Sequence, residues 1–187
     1  MEVNKYTVKD LMVPISEYAT VPIGTTLFGA ILALEEAQEN FDHGKYQHRA
    51  ILVLDDKNKV VGRLSQLRVL NAMDAADNYS RYEQLKIFKF SDTHIEKVSE
   101  KDRLARKIFT EEALKKVAKK LVNEFMQKPN PDEYVAETSA IDMAIHKMAA
   151  GAHQSLLATR GDEIVGVLRL SDVFAATFHT LKELEVV

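Results

Sequence analysis

Residues 165–174 read VGVLRLSDVF, and residues 61–70 read VGRLSQLRVL. Each stretch opens on Val-Gly, alternates like a half-buried strand, and then changes to helical spacing. With the glycines aligned, Ser65 corresponds to Arg169, and Arg68 to Asp172. At the C-terminal copy Ser171 is the expected helix cap, since its hydroxyl can accept a first-turn N–H. Asp172 is then a first-turn acid, which the helix dipole favours by about 0.3–1 kcal/mol. The alternative is that Asp172 holds a ligand.

Working outward, the likeness extends over most of the chain. VKDLM at 8–12 matches VNEFM at 122–126, and proline follows each: Pro14, and Pro129 with Pro131. Short extended pieces come next, at 17–21 and 132–137. Thr25-Thr26 and Thr138-Ser139 are then the expected caps of two helices. Leu27, Ile31 and Leu34 share a face of the first helix; Ile141, Ile145 and Met148 share one of the second. Gly151 is the expected stop of the second. Two strands with turn sequences between them (DKN at 56–58, RGD at 160–162) complete each copy before a closing helix. The expected closing helices span 65–76 and 171–184. Roughly residues 77–121 match neither copy. Ser99 with Asp102 forms a capping-box variant, and Thr110 is placed to cap a helix carrying Leu114, Val117 and Leu121. Tyr79, Tyr82, Ile87, Phe88 and Phe90 are too apolar for a free linker. Lys115, Lys116, Lys119 and Lys120 read best as a solvated helix face.

Composition narrows the function. The chain has 187 residues, a formal net charge of −3 and no cysteine. Interspersed charge of that size gives no general attraction to nucleic acid or anionic membrane. Without cysteine there are no disulfides, thiolate zinc sites or cysteine nucleophiles, and the chain suits a reducing cytoplasm. Neither a signal-peptide core nor a membrane-length apolar run is present, so a cytoplasmic protein is expected. His43 and His48 do not supply a zinc set, and 55–59 lacks the glycine and glutamate of a calcium loop. No glycine-rich phosphate loop and no nucleophile system is identifiable, so an enzyme is not the expected reading.

The order of these pieces, repeated twice, resembles a tandem pair of cystathionine-β-synthase (CBS) domains, a Bateman module. The resemblance implies an α+β fold with two β-α-β-β-α repeats, at 6–76 and 120–184, related by an approximate two-fold axis. A mainly helical insertion at 77–119 separates them. In that family the second hairpin strand usually continues as Gly-x-x-Thr-x-x-Asp, the hydroxyl and acid lining a cleft between repeats. The acid meets a ribose and the preceding extended piece borders the base. Carried over, Asp172 matches the acid while Arg169 replaces the hydroxyl; Ser65 matches the hydroxyl while Arg68 replaces the acid. Tyr134, Val135 and Ala136 would border the base in one cleft, Ala19 and Thr20 in the other. His48 and Arg49 lie near the place where some members face phosphate; in the second copy His153 and Arg160 are the nearest candidates. An arginine fork at a partly enclosed strand end suits phosphate or carboxylate.

Two functions follow. One is a regulatory module with no required cofactor, sensing AMP, ADP, ATP or S-adenosylmethionine as a homodimer that acts on an unidentified effector protein. The other is a ligand-independent scaffold with empty clefts. Arg68 and Arg169 favour the scaffold; Asp172, Ser65 and His48-Arg49 favour sensing. Neither calls for nucleic acid or membrane. Pairing is expected through helix faces carrying Leu27, Ile31 and Leu34, and Val173, Phe174 and Phe178.

Overall fold

The computed structural model describes residues 6–39, 48–75, 101, 104–105 and 107–184. Within them the fold is mixed α and β. The first half contains α1 (Val8–Leu11), β1 (Val13–Pro14), β2 (Thr20–Pro22), α2 (Leu27–Glu39), β3 (Ala50–Leu54), β4 (Val60–Ser65) and α3 (Gln66–Ala75). Then come α4 (Glu111–Ala118), β5 (Tyr134–Ala136), α5 (Ile141–Gly151), β6 (Ser155–Arg160), β7 (Glu163–Arg169) and α6 (Leu170–Glu183). The β-α-β-β-α unit therefore occurs twice, as β2-α2-β3-β4-α3 and β5-α5-β6-β7-α6. Most of the 77–119 stretch, including Ser99 and the aromatic run, lies outside the described residues. There α4 is capped as expected, Thr110 Oγ1 accepting from the Ala113 N–H at 3.3 Å.

Local chemistry fixes both hairpins. Asp55 Oδ1 accepts the N–H groups of Lys57 and Lys59, and Asn58 takes a left-handed φ of 58°. Gly161, at φ 60°, turns the second hairpin. Left-handed backbone is cheap for glycine and tolerated by asparagine.

The two sheets do not follow the sequence copies. One has the order β2-β3-β4; the other has the order β1-β7-β6-β5. The N-terminal segment crosses over: Val13 pairs with Val167 and Pro14 with Gly166, while Val8 is buried in the second-half core with Val135, Leu156 and Leu168. The segment at 121–127 returns the exchange. Val122 is buried in the first-half core with Leu27, Ile51 and Leu64, and Gln127 bridges Arg63. Matching bonds recur: Val8 N–H to Ser139 C=O and Val122 N–H to Thr25 C=O, Ile141 N–H to Tyr6 C=O and Leu27 N–H to Lys120 C=O. The ranges 6–76 and 120–184 thus group the chain by repetition, whereas packing trades their leading segments. Sequence likeness cannot reveal the trade, because equivalent segments satisfy either core.

Four local expectations are corrected. The last helix begins at Leu170 with Arg169 at its N-cap, so Ser171 lies inside the first turn. Ala140, not Thr138 or Ser139, is the N-cap of α5, and no side chain caps it; a Tyr6 carbonyl takes the Ile141 N–H instead. Gly151 ends α5, but Ala152 makes the left-handed turn at φ 50°. Leu27 and Val173, expected on pairing faces, are buried in the cores, while Phe28, Phe174 and Phe178 are exposed.

A third cluster joins the halves. Val13, Tyr18, Leu52, Leu157 and Val167 are buried together, with Ile15, Val60, Tyr134 and Ile164 against them. Burying such aliphatic side chains is worth about 1.5–3 kcal/mol each.

The repeated Val-Gly now has a physical reason. A Cβ on Gly166 would lie 2.8 Å from the Val13 carbonyl oxygen and 2.8 Å from Met12 Sδ; on Gly62 it would lie 2.3 Å from Met126 Sδ. Backbone cannot yield as a methionine tip can. Gly166→Ala is expected to destabilise by about 1–3 kcal/mol, the range for overpacking, and Gly62→Ala by less. Thermal denaturation of the two variants checks the order; a larger loss in Gly62→Ala would contradict it.

Candidate functional site

The strand-to-helix corner at the end of β7 carries the densest polar constellation. Leu168 is buried, so the alternation places Arg169 at the strand end, where Leu170 N–H bonds the Gln154 carbonyl at 2.9 Å and starts α6. Asp172, in the first turn, then stands over it. The Arg169 guanidinium donates from Nε to Asp172 Oδ2 at 2.5 Å and from a terminal nitrogen to Oδ1 at 2.7 Å. This is a two-pronged charge-assisted pair. The Arg169 side chain is 6% exposed and that of Asp172 16%. The pair is part-buried, the arginine being its more enclosed member. Asp172 thus has an ion-pair partner as well as the first-turn position that a helix dipole favours.

Two residues of the first half feel the charges of this pair. His48 is fully buried just before β3, its ring centroid 4.5 Å from that of Tyr18 in an edge-on contact. Gln38 Nε2 donates to the His48 carbonyl at 2.9 Å and fixes the backbone there. Burial pushes the Tyr18 hydroxyl up to about 12, with Arg169 and Arg63 pulling it down and Asp172 raising it. Burial is also the main reason that His48 titrates below its ordinary 6.5; Arg169 adds to the depression, and the Glu17 backbone, Asp172 and Glu17 oppose it. Tyr18, His48, Arg169 and Asp172 thus form one electrostatic neighbourhood between the halves.

A second polar link lies on β4. Arg63 donates from NH2 to Glu133 Oε1 at 2.6 Å and from NH1 to Ser155 Oγ at 2.9 Å. Glu133 is buried, and its other oxygen accepts the Asn130 N–H at 3.0 Å. This clasp, like Tyr18, escaped sequence reasoning. Its one sign is a charged residue at position 63, where the other copy has Val167.

The remaining candidates are dispersed. Ser65 ends β4 and serves as a cap, its Oγ taking the Arg68 N–H at 3.3 Å; the Arg68 side chain is exposed. Arg49 is exposed and its carbonyl accepts from Gln66 N–H at 3.2 Å. Ala19 is buried and gives its carbonyl to Leu52 N–H, and Thr20 pairs with Leu52. Tyr134 packs on the joining cluster, its carbonyl accepting from Lys147 Nζ at 2.8 Å, while Val135 is part of the second core. Ala136 pairs with Thr159 at the hairpin end of its sheet, whereas Arg169 pairs with Ser155 at the opposite end. The register therefore separates Ala136 from the Asp172 corner. His153 lines an apolar pocket of about 350 Å³ with Ile145, Met148, Leu170 and Val173; Arg160 is held by Glu137. No group of three His, Asp or Glu able to hold a metal occurs among the described residues, nor any helix long and apolar enough to cross a membrane.

Comparison with known proteins places this geometry. The CBS domain family model matches residues 8–75. No curated protein matches the chain. Among solved structures, a CBS domain-containing protein from Bacillus anthracis aligns with a TM-score of 0.61 at 20% identity, covering 97% of this chain and 96% of that one. CBSX2, solved in complex with AMP, gives 0.58 at 18% identity, covering 94% and 98%. The CBS domains of a transcriptional regulator from Streptococcus pneumoniae give 0.54 at 14%, covering 92% and 99%. At these identities the shared property is the fold.

The buried histidine yields a pH prediction. Its folded pKa lies below the unfolded value, so the unfolded chain takes up the proton first as pH falls. The contribution of neutral His48 is full above about 6.5 and declines as pH falls toward the folded pKa. The thermal midpoint of the wild type is expected to drop more steeply between about pH 7.5 and about pH 5.5 than that of His48→Gln. Parallel melting curves would contradict it.

Proposed function

Because the chain carries a CBS domain at 8–75 and has the fold of a CBS-domain pair, we propose that it is a non-catalytic regulatory module that senses an adenine nucleotide or related adenosyl ligand between its repeats. The observation that carries the reading is the corner at Arg169 and Asp172. There a carboxylate suited to ribose hydroxyls and a guanidinium suited to phosphate pair with each other, and their charges reach Tyr18 and His48 of the other half. The AMP complex of a protein with this fold supports the ligand class. The first-copy corner, where Ser65 is a cap and Arg68 is exposed, supports at most an anion. Ligand favours one arrangement of the halves and an effector protein in the cytoplasm reads it, a shift of population between states.

Assembly is part of the same reading. Leu170, Phe174, Phe178 and Leu181 recur at helical spacing along α6, with Phe174 66% exposed, and α3 exposes Leu67 and Leu70. A homodimer would cover such a stripe. The ligand-independent scaffold is the second reading, and one observation favours it: Asp172 and Arg169 already satisfy one another.

Titration calorimetry with AMP, ADP, ATP and S-adenosylmethionine tests the first reading. Binding of at least one is expected, and silence from all four would leave the scaffold. For assembly, sedimentation equilibrium at micromolar concentration is expected to give a dimer mass for the wild type and a monomer mass for Phe174→Glu. A wild-type monomer would defeat the pairing.

A further inference from the structure

We propose that Met12 and Met126 are paired oxidation sites, at which a peroxide unfastens the exchanged leading segments and a thiol-driven reductase fastens them again. The chain has no cysteine, so its sulfur chemistry belongs to methionine alone. Met148 is 3% exposed and lies within the second core. Met143 is 55% exposed on α5 and is not among the side chains packed on either core. Met12, Met73 and Met126 lie between these extremes: half-buried, yet packed against a core. In that class an oxidant's access and a structural consequence coincide. Met73 stays with its own half, whereas Met12 and Met126 sit on the segments that cross over.

Each thioether fills the hollow that a missing Cβ leaves, Met12 over Gly166 and Met126 over Gly62. In the step, a peroxide oxygen bonds to sulfur as its O–O bond breaks. The sulfur gives up an electron pair. The proton on the transferred oxygen passes to the departing hydroxide, which leaves as water. The product is a sulfoxide, polar where the thioether was apolar. Its oxygen only accepts hydrogen bonds, and at Gly166 the same hollow is bordered by the Val13 carbonyl, another acceptor. An acceptor buried without a donor is costly, so the side chain leaves the hollow for water. Val8 and Val122, both 0% exposed, lie on the segments thus released. A dithiol reverses the step: the oxygen leaves as water and the reductant becomes a disulfide. Because the two segments are fastened alike, one reagent loosens both halves, whether or not the module binds a ligand.

Treatment of the full chain with hydrogen peroxide, followed by peptide mass spectrometry, amide hydrogen exchange and thermal melting, tests the proposal. Met143 is expected to take up oxygen first, with the melting midpoint unchanged. Sulfoxide at Met12 and Met126 is expected next, while the chain is still folded. With it, amides over 8–14 and 122–127 exchange faster and the midpoint falls by about 5 °C. The two methionine sulfoxide reductases, supplied with dithiothreitol, are expected to restore both readings. In Met12→Leu/Met126→Leu, which keeps Met73, the fall caused by peroxide is expected to vanish. If that variant does not fold, the order of events in the wild type decides. Met12 and Met126 left unmodified until the chain unfolds would overturn the proposal. So would sulfoxide at both with amide exchange unchanged, or a double variant that loses as much as the wild type. Failure of the reductases to restore the fold overturns the switch.

Discussion

Everything in this fold depends on a reciprocal exchange at two glycines. Met12 lies over Gly166 and Met126 over Gly62, so each leading segment seals the sheet of the other half. The absence of a Cβ lets a neighbouring chain segment approach where a side chain would hold it off. With that approach, Val8 and Val122 complete two cores that would otherwise lie open. The segments also carry their own short turns. Asp10 accepts from the Thr7 N–H and hydroxyl, which hold its carboxyl below the usual range, and Glu124 accepts from the Leu121 N–H.

The two copies share a frame and diverge in chemistry at the same places. At one strand-to-helix corner a serine caps the helix; at the other an arginine grips an aspartate. Between them, Arg63 reaches across to buried Glu133 while its counterpart Val167 joins an apolar cluster. A repeated backbone has thus been given one polar seam and one polar corner. The corner is where a ligand would find charge enclosed by protein rather than by water, and enclosed charge is the more selective kind.

The repeat, its β-α-β-β-α order and both hairpins were legible because they rest on local signals: alternation, turn residues and the Val-Gly pair. Thr26 and Thr110 could be read as caps for the same reason, each accepting a first-turn N–H. Ser171 misled because the helix is capped two residues earlier, at Arg169, where strand and helix meet. Asp172 and Arg169 were both visible as candidates. Their pairing was not, since positions three apart meet only when the intervening backbone has turned into a helix. Tyr18, Glu133 and Ser155 lay out of reach because their importance comes from the opposite half, and no local pattern records a partner so distant. Ala136 shows the converse: the extended piece was found, but strand register places it at the other end of the sheet.

The exchange also sets an order of events in time. Residues 8–14 are made before residues 163–169, yet Val13 pairs with Val167. The leading segment must therefore wait for β7 of the second half before it has a place. The first sheet, by contrast, needs only the chain through Gln127 to be covered. Pairings so remote in sequence slow the search, since the ends must be brought together before any contact rewards them. Until the second half has been made, Val8 and Leu11 have no core to enter.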